Sequence, residues 1–196
     1  GFDIWQRGVS TAVVEPAGYK TADRFWFLAS GGVGTIGQSD DVPAGEGLNY
    51  SMLLNATGSL VIGTNVELSP AGSLAPFKAN TDYTMSLWLQ STSATLKIQF
   101  RNTIADGTSQ VVVINTALPL VGGWFKHEVT FNMGSFVPNL TNTILSIDLA
   151  DFQQGGRTTG WKLEEGATAT PFTRAGNNIA GELAMCQRYY ERIEVV

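Results

Sequence analysis

Apolar and polar residues alternate strictly along several stretches of this sequence. The clearest stretch places large apolar side chains at every second position, at Tyr83, Met85, Leu87 and Leu89. Polar residues and one indole fill the positions between them, at Thr84, Ser86, Trp88 and Gln90. Side chains two residues apart lie on the same face of a β-strand, so this stretch predicts a strand with one face in a core. The same alternation returns at residues 96–101 and 124–131.

Further short runs rich in Val, Ile, Phe and Trp, bounded by Gly, Asn, Asp or Pro, predict additional strands. They cover residues 2–7, 24–29, 49–54, 59–63, 110–115, 143–149 and 160–165. Turn-forming segments predict exposed loops at residues 30–37, 40–47, 69–76 and 151–160. Because no helical repeat separates the strands, they indicate antiparallel sheets, and a length of 196 residues suits one all-β domain.

One segment near the end of the chain follows a helical period instead. Asn177 and Asn178 are suitable N-cap residues, and apolar residues recur after them at steps of three and four. These apolar residues are Ile179, Leu183, Cys186, Tyr190 and Ile193. The pattern predicts a helix of about three turns whose apolar stripe packs on the sheets, with the cysteine buried beneath it.

Composition excludes several classes of function. The chain carries 12 Lys and Arg against 17 Asp and Glu, a formal net charge of −5, which leaves too few cations for a nucleic-acid surface. No stretch reaches the roughly 18 consecutive apolar residues of a membrane-spanning helix, so no membrane insertion is expected. A single Cys cannot form a disulfide framework within the chain. One Cys and one His cannot complete a structural zinc site without several carboxylates, so no metal or cofactor is expected.

Three parts of the sequence carry a resemblance to a known family. The opening part comprises residues 2–8 (FDIWQRG) and 19–25 (YKTADRF), and the later parts are residues 161–172 (WKLEEGATATPF) and 182–191 (ELAMCQRYYE). In this order they resemble the jelly-roll domain of bacteriophage tail fibres and tailspikes, which is similar to carbohydrate-binding modules. The resemblance brackets nearly the whole chain.

The resemblance implies one carbohydrate-binding-module-like domain over residues 1–196, an antiparallel β-sandwich of jelly-roll type with a short C-terminal α-helix. It also implies a non-enzymatic virion protein that binds a host cell-surface glycan and forms a homotrimer within the fibre. Because the sequence starts at Gly1 without Met, we expect a fragment of a longer fibre protein. Related sugar-binding modules hold a structural calcium through paired acidic residues before the last strand. Here that place reads Thr159-Gly160-Trp161-Lys162, which argues against a calcium.

Aromatic rings on a polar strand face are the candidates for sugar binding, because flat rings stack on the C–H edges of pyranoses. Trp88 and Trp124 both fall on the polar side of their strands. The strand expected to follow Trp88 in a hairpin presents Lys97, Gln99 and Arg101 on one side. If these strands share a sheet, the five residues form one ligand-binding platform. The alternative is that a loop or a neighbouring subunit covers both indoles.

Other chemistry-bearing residues have structural explanations. His127 falls on the apolar side of its strand, which predicts a core or rim histidine and not a catalytic base. The pairs Glu164-Glu165 and Asp40-Asp41 cannot flank one glycosidic bond, because adjacent residues in a strand point to opposite faces. A buried network that ties the ends of the sandwich together accounts for Trp5, Asp23, Arg24, Gln187 and Arg188.

Three functions are compatible with these patterns. The interpretation we favour is host attachment by a phage fibre through glycan binding. The alternative is a purely structural trimerisation or spacer domain, which would bury Trp88 and Trp124 in subunit contacts. An enzyme that cleaves polysaccharide is less favoured, since it requires two carboxylates about 5 to 9 Å apart in a cleft.

Overall fold

The structure is a computed structural model of the 196-residue chain. It describes residues 2–3, 10–13, 18–19, 25–30, 34–56, 59–65, 78–91, 95–103, 109–119, 122–135, 144–149, 155–174, 178–181 and 183.

The described residues form twelve strands in two antiparallel sheets. In chain order the strands are β1 (Ser10–Val13), β2 (Gly18–Tyr19), β3 (Trp26–Ser30), β4 (Gly34–Ser39), β5 (Ser51–Ala56), β6 (Ser59–Asn65), β7 (Asp82–Gln90), β8 (Thr95–Thr103), β9 (Ser109–Ala117), β10 (Phe125–Asn132), β11 (Ile144–Leu149) and β12 (Gly156–Glu165). The front sheet has the order β1-β4-β5-β12-β7-β10, and the back sheet has the order β2-β3-β6-β11-β8-β9.

The chain crosses repeatedly between the two sheets. It passes from the front to the back sheet after β1, β5, β7 and β10, and it returns to the front sheet after β3, β6, β9 and β11. Such crossings are typical of jelly-roll sandwiches, in which neighbours in sequence are separated into opposite layers. The predicted all-β sandwich of jelly-roll type is therefore confirmed.

The core lies between the sheets and follows the period-two pattern of the sequence. Tyr83, Met85, Leu87 and Leu89 of β7 are all at most 2% exposed, as their alternation predicts. Leu96, Ile98 and Phe100 of β8 are fully buried from the opposite sheet. Aromatic contacts join the layers, with the rings of Phe100 and Phe131 5.1 Å apart and that of Trp161 5.7 Å from Phe2 and 5.4 Å from Phe25. Fully burying such side chains stabilises the fold by roughly 1.5 to 3 kcal/mol each.

Two of the segments predicted as loops contain strand residues. Residues 30–37 were expected to be an exposed loop, but β4 begins at Gly34 and Ile36 is fully buried. Gly34 and Gly37 pair with Ala56 and Leu53 of β5, so the ladder stabilises a strand that glycine-rich composition conceals. In the same way, β12 begins inside predicted loop 151–160, whereas residues 40–47 do form a loop.

Both termini are described only in part. Residues 2–3 are not in a strand, and the rest of the strand predicted at 2–7 lies outside the described residues, as does loop 69–76. Helical structure begins at Ile179, and the Asn178 side chain accepts a 2.7 Å hydrogen bond from the Gly181 amide, as an N-cap does. The remainder of the predicted helix, with Cys186, lies outside the described residues. No helix in the described ranges is long and apolar enough to cross a membrane.

Candidate functional site

The outer face of the front sheet carries the candidate site. On β7 the residues between the core positions point to this face, and Trp88 is among them. Its partners on the adjacent strands are Lys126 of β10 and Thr159 of β12. Because paired residues lie on the same face of a sheet, these three side chains are neighbours on the outer face.

A β-bulge in β12 makes room for the indole of Trp88. The register with β7 shifts between Thr159 and Lys162, and Gly160 within the bulge has a φ of +62°. A Cβ atom placed on Gly160 would lie only 3.2 Å from Cδ1 of Trp88 and 3.3 Å from Cδ1 of Leu48. The indole and the leucine therefore pack together over a glycine that both backbone conformation and space require.

Loop 40–50 packs onto this face and supplies that leucine. The Thr159 hydroxyl donates to the Tyr50 carbonyl at 2.9 Å, and the Arg174 guanidinium donates to the Gly47 carbonyl at 2.9 Å. Ser51 donates to the carbonyl of Asp41 at 2.6 Å. With Leu48 only 7% exposed, these contacts hold the loop against β12 and β7.

Asp41, within this loop, contacts both Trp124, which precedes β10, and Arg157 of β12. Its Oδ1 atom accepts a hydrogen bond of 2.9 Å from the indole N–H of Trp124, and its Oδ2 atom lies 3.5 Å from Nε of Arg157. Arg157 in turn donates to the Gln90 side chain at 2.7 Å and to the Ser39 hydroxyl at 3.3 Å. The carboxylate thereby fixes the orientation of the Trp124 ring.

The two predicted tryptophans are both half-buried, but their indole nitrogens differ in environment. Trp124 is half-buried at the start of β10, whereas the Nε1 atom of Trp88 is fully buried and has no hydrogen-bond partner in the part of the chain that the structure describes. The sequence left open that a loop or a neighbouring subunit covers both indoles. For Trp88, the indole nitrogen is covered. Tyr50, which the sequence reasoning missed, is 37% exposed beside Thr159. Its position next to a turn-rich loop was the only signal available.

Three of the predicted ligand-binding residues lie elsewhere. Lys97, Gln99 and Arg101 belong to β8, which is in the back sheet, so the hairpin expected between β7 and β8 does not form. Trp88 and Trp124 share the outer face of the front sheet, but the single platform of five residues is wrong. The physical reason is that the connection crosses from one layer of the sandwich to the other. A role of Lys97, Gln99 and Arg101 in binding stays a prediction for the back sheet.

Lys162 and Glu164 organise the other end of the face. The Lys162 ammonium contacts Glu164 Oε1 at 3.0 Å, the Pro171 carbonyl at 2.9 Å and the Thr170 hydroxyl. Burial raises the pKa of Glu164, but hydrogen bonds from the hydroxyl and amide of Thr170 and from Lys162 outweigh it, so the pKa lies below its usual range. Lys162 belongs to the stretch 159–162, the place that the sequence analysis compared with the calcium site of related modules. Among the described residues no group of three or more His, Cys, Asp or Glu could hold a metal ion.

Glu164, Glu165 and His127 lie where the sequence analysis expected residues with structural roles. Glu164 and Glu165 point to opposite faces as predicted, with Glu165 bound to Lys78 at 2.8 Å. His127 lies on the core side of β10, opposite Leu87, and is half-buried, as predicted for a core or rim histidine. Desolvation lowers its pKa although the neighbouring Glu128 raises it.

An ion pair lies near the start of the chain, whereas the predicted network at the chain ends is untested. Asp3 is 3% exposed and pairs with Arg174 at 3.2 Å, a contact that links the start of the chain to the segment after β12. The residues predicted for such a network, Trp5, Asp23, Arg24, Gln187 and Arg188, lie outside the described residues.

Comparison with known proteins rests on structure. No protein-family model and no curated protein matches this sequence. Among solved structures, the enzymatically active domain of tailspike protein 4 from bacteriophage CBA120 is similar over 82% of this chain and 20% of its own, with a TM-score of 0.51 at 11% identity. The arabinose-bound α-L-arabinofuranosidase MgGH51 is similar over 83% of this chain and 28% of its own, with a TM-score of 0.52 at 13% identity.

A carbohydrate-binding module is also among the similar structures. The C-terminal family 22 carbohydrate-binding module of Clostridium thermocellum Xyn10B covers 83% of this chain and 90% of its own length, with a TM-score of 0.49 at 14% identity. The chain spans about a fifth of the tailspike chain and 28% of the arabinofuranosidase chain. At these identities, the likeness to the tailspike domain and to the arabinofuranosidase shows the fold alone.

Proposed function

We propose that the chain is a non-catalytic glycan-binding module and that the outer face of the front sheet is its binding surface. The observation that carries this proposal is that Trp124 is hydrogen-bonded to the Asp41 carboxylate on the face that also carries Trp88. The exposed Tyr50 lies next to this face, where its carbonyl accepts from Thr159, the strand partner of Trp88. Aromatic rings beside fixed polar groups are the chemistry that recognises a sugar, since the ring packs on C–H groups and the polar atoms pair with hydroxyls.

Trp124, which is half-buried, and Tyr50, which is 37% exposed, are the aromatic residues that we assign to ligand contact. The Trp124 indole is held by its bond to Asp41, so little side-chain entropy is lost when a ligand binds. Trp88 has its indole nitrogen buried beneath the loop, and its role is to support the surface from below.

The state of the carboxylates supports a binding role over catalysis. A glycosidase needs one carboxylic acid with a raised pKa as proton donor. Glu164 has a lowered pKa, and Asp41 is engaged by Arg157 and Trp124. These groups are suited to orienting a ligand.

The biological setting we propose is host attachment on a virion, with a cell-surface glycan as the partner. The sequence resemblance to phage fibre domains supports it, together with the structural likeness to a tailspike domain. The homotrimer that this setting implies rests on the resemblance.

A binding experiment with matched variants tests the function. A glycan array with the purified chain identifies a ligand, and its affinity is then measured for Trp124→Ala, Tyr50→Ala and the control Val113→Ala. Val113 is 44% exposed and pairs with Gln99, on the outer face of the back sheet. Removing one of these rings should weaken binding at least about fivefold, because a central aromatic contact contributes more than about 1 kcal/mol. The control should bind normally.

The structural spacer predicts a different outcome. If the chain only builds the fibre, the array stays empty and the Trp124 variant alters melting temperature or assembly. Loss of binding in the Val113 variant, with normal binding in the Trp124 and Tyr50 variants, would move the site to the back sheet.

A further inference from the structure

The three cations that β10 and β12 present on the outer face of the front sheet are each paired with a carboxylate of the same face. Arg157 lies 3.5 Å from Asp41, Lys126 lies 2.7 Å from Glu128, and the third pair is Lys162 with Glu164 at 3.0 Å. Three positive and three negative side chains therefore cancel locally.

The acidic members of two pairs lie nearer to solvent. The Asp41 side chain is 44% exposed against 25% for Arg157, and that of Glu128 is 46% exposed against 30% for Lys126. In the third pair both side chains are similarly covered, at 17% for Lys162 and 18% for Glu164. In the first two pairs the side chain that carries the negative charge is therefore the more accessible one to a ligand.

Two of the three cations, Lys162 and Arg157, are also bound to further protein acceptors. The three N–H groups of the Lys162 ammonium face Glu164, Thr170 and the Pro171 carbonyl. The Arg157 guanidinium donates to Gln90, to the Gly155 carbonyl at 3.3 Å and to Ser39. An acidic sugar would have to displace these acceptors and leave a carboxylate unpaired beside its own charge, which is unfavourable.

From this arrangement we infer that the ligand is an uncharged glycan, without carboxylate, sulfate or phosphate groups. The inference rests on the proposed function and specifies its ligand class. Hydroxyl groups of a neutral sugar donate to the exposed oxygens of Asp41 and Glu128, whereas an acidic sugar is repelled by them. The net charge of −5 of the chain acts in the same direction at longer range.

The test compares neutral polysaccharides with acidic derivatives of the same backbone. A β-glucan, a mannan and an arabinoxylan are each titrated beside their carboxymethylated forms, at low and high sodium chloride. The neutral form should bind at least about tenfold more tightly at low salt. The gap should narrow at high salt, because the Debye length falls from about 30 Å at 0.01 M to about 3 Å at 1 M.

Two variants separate local from overall charge. Glu128→Gln removes one negative charge from the face and should narrow the gap between the neutral and acidic forms. Glu165→Gln removes the same charge from the opposite side of β12, where Glu165 pairs with Lys78, and should leave the gap unchanged.

The possible failures are distinguishable. Equal or tighter binding of the carboxymethylated forms overturns the inference and leaves glycan binding intact. An equal effect of both variants also overturns it, because the discrimination would then come from overall charge. If no polymer of either kind binds, and the glycan array is empty as well, the proposed function fails and the inference fails with it.

Discussion

At the scale of single residues, the site depends on a glycine. Gly160 has a φ of +62° and lies under both Trp88 and Leu48. An L-residue in this conformation costs about 1 to 2 kcal/mol, and a side chain there also meets the indole. The alternation of β7 predicted that Trp88 leaves the core, which is confirmed. The position of Leu48 beside Trp88 could not be predicted, because two residues 40 positions apart are brought together only by the conformation of loop 40–50.

Replacing Gly160 with Ala should therefore lower stability and weaken glycan binding together. Gly134→Ala is the matched control, since Gly134 has a φ of +55° but nothing within 4 Å of its added Cβ. Both variants carry the backbone cost of about 1 to 2 kcal/mol, and only the first displaces the indole. Melting temperature and glycan affinity are measured for both. Equal affinities in the two variants would contradict the support role of Trp88.

At the scale of elements, composition and pattern identified strands with different success. The alternating runs became β7, β8 and β10 because each has one face in the core. β4 was missed because its two glycines weaken the apolar signal, and its single buried anchor, Ile36, gives no period. The layer to which each strand belongs was not predictable either, since alternation marks which side chains point inward but not which strands are neighbours. That is why Lys97, Gln99 and Arg101 were assigned to the wrong face.

Strand β10, at one edge of the front sheet, carries the single histidine of the chain, His127, on its core side. Desolvation lowers the pKa of His127 in the folded state below its value of about 6.5 in the unfolded chain. The folded protein therefore binds this proton less readily than the unfolded chain does. The unfolded state thus gains a proton first as pH falls. The stability linked to His127 is present above about pH 6.5 and is lost as pH drops below it.

The melting temperature should accordingly fall between pH 7.5 and pH 5.5, and it should fall less in a His127→Gln variant. Carboxyl groups titrate mainly below this window, so the difference in slope reports the histidine. Calorimetric melting at several pH values measures it. Parallel slopes for the two proteins would mean that His127 is not linked to folding.

At the scale of the whole molecule, the sandwich presents two outer faces, and we propose that the ligand binds to the front one. The front face carries Trp88 and the Trp124–Asp41 pair, while the back face carries Lys97 and Gln99 on β8. The fold class was predictable from the sequence, because a repeated period of two has few other solutions. The choice of face required the strand order.

The chain contains five tryptophans, whose indole N–H signals are resolved in a nitrogen–proton correlation spectrum and assigned through single Trp→Phe variants. Titration with a bound neutral glycan should shift the signals of Trp124 and Trp88. The Trp161 signal should stay in place, since this indole packs on Phe2 and Phe25 and donates to Thr158 at 2.6 Å. Unchanged Trp124 and Trp88 signals, with shifted amide signals of Lys97 and Gln99, would contradict the assignment of the glycan to the front face.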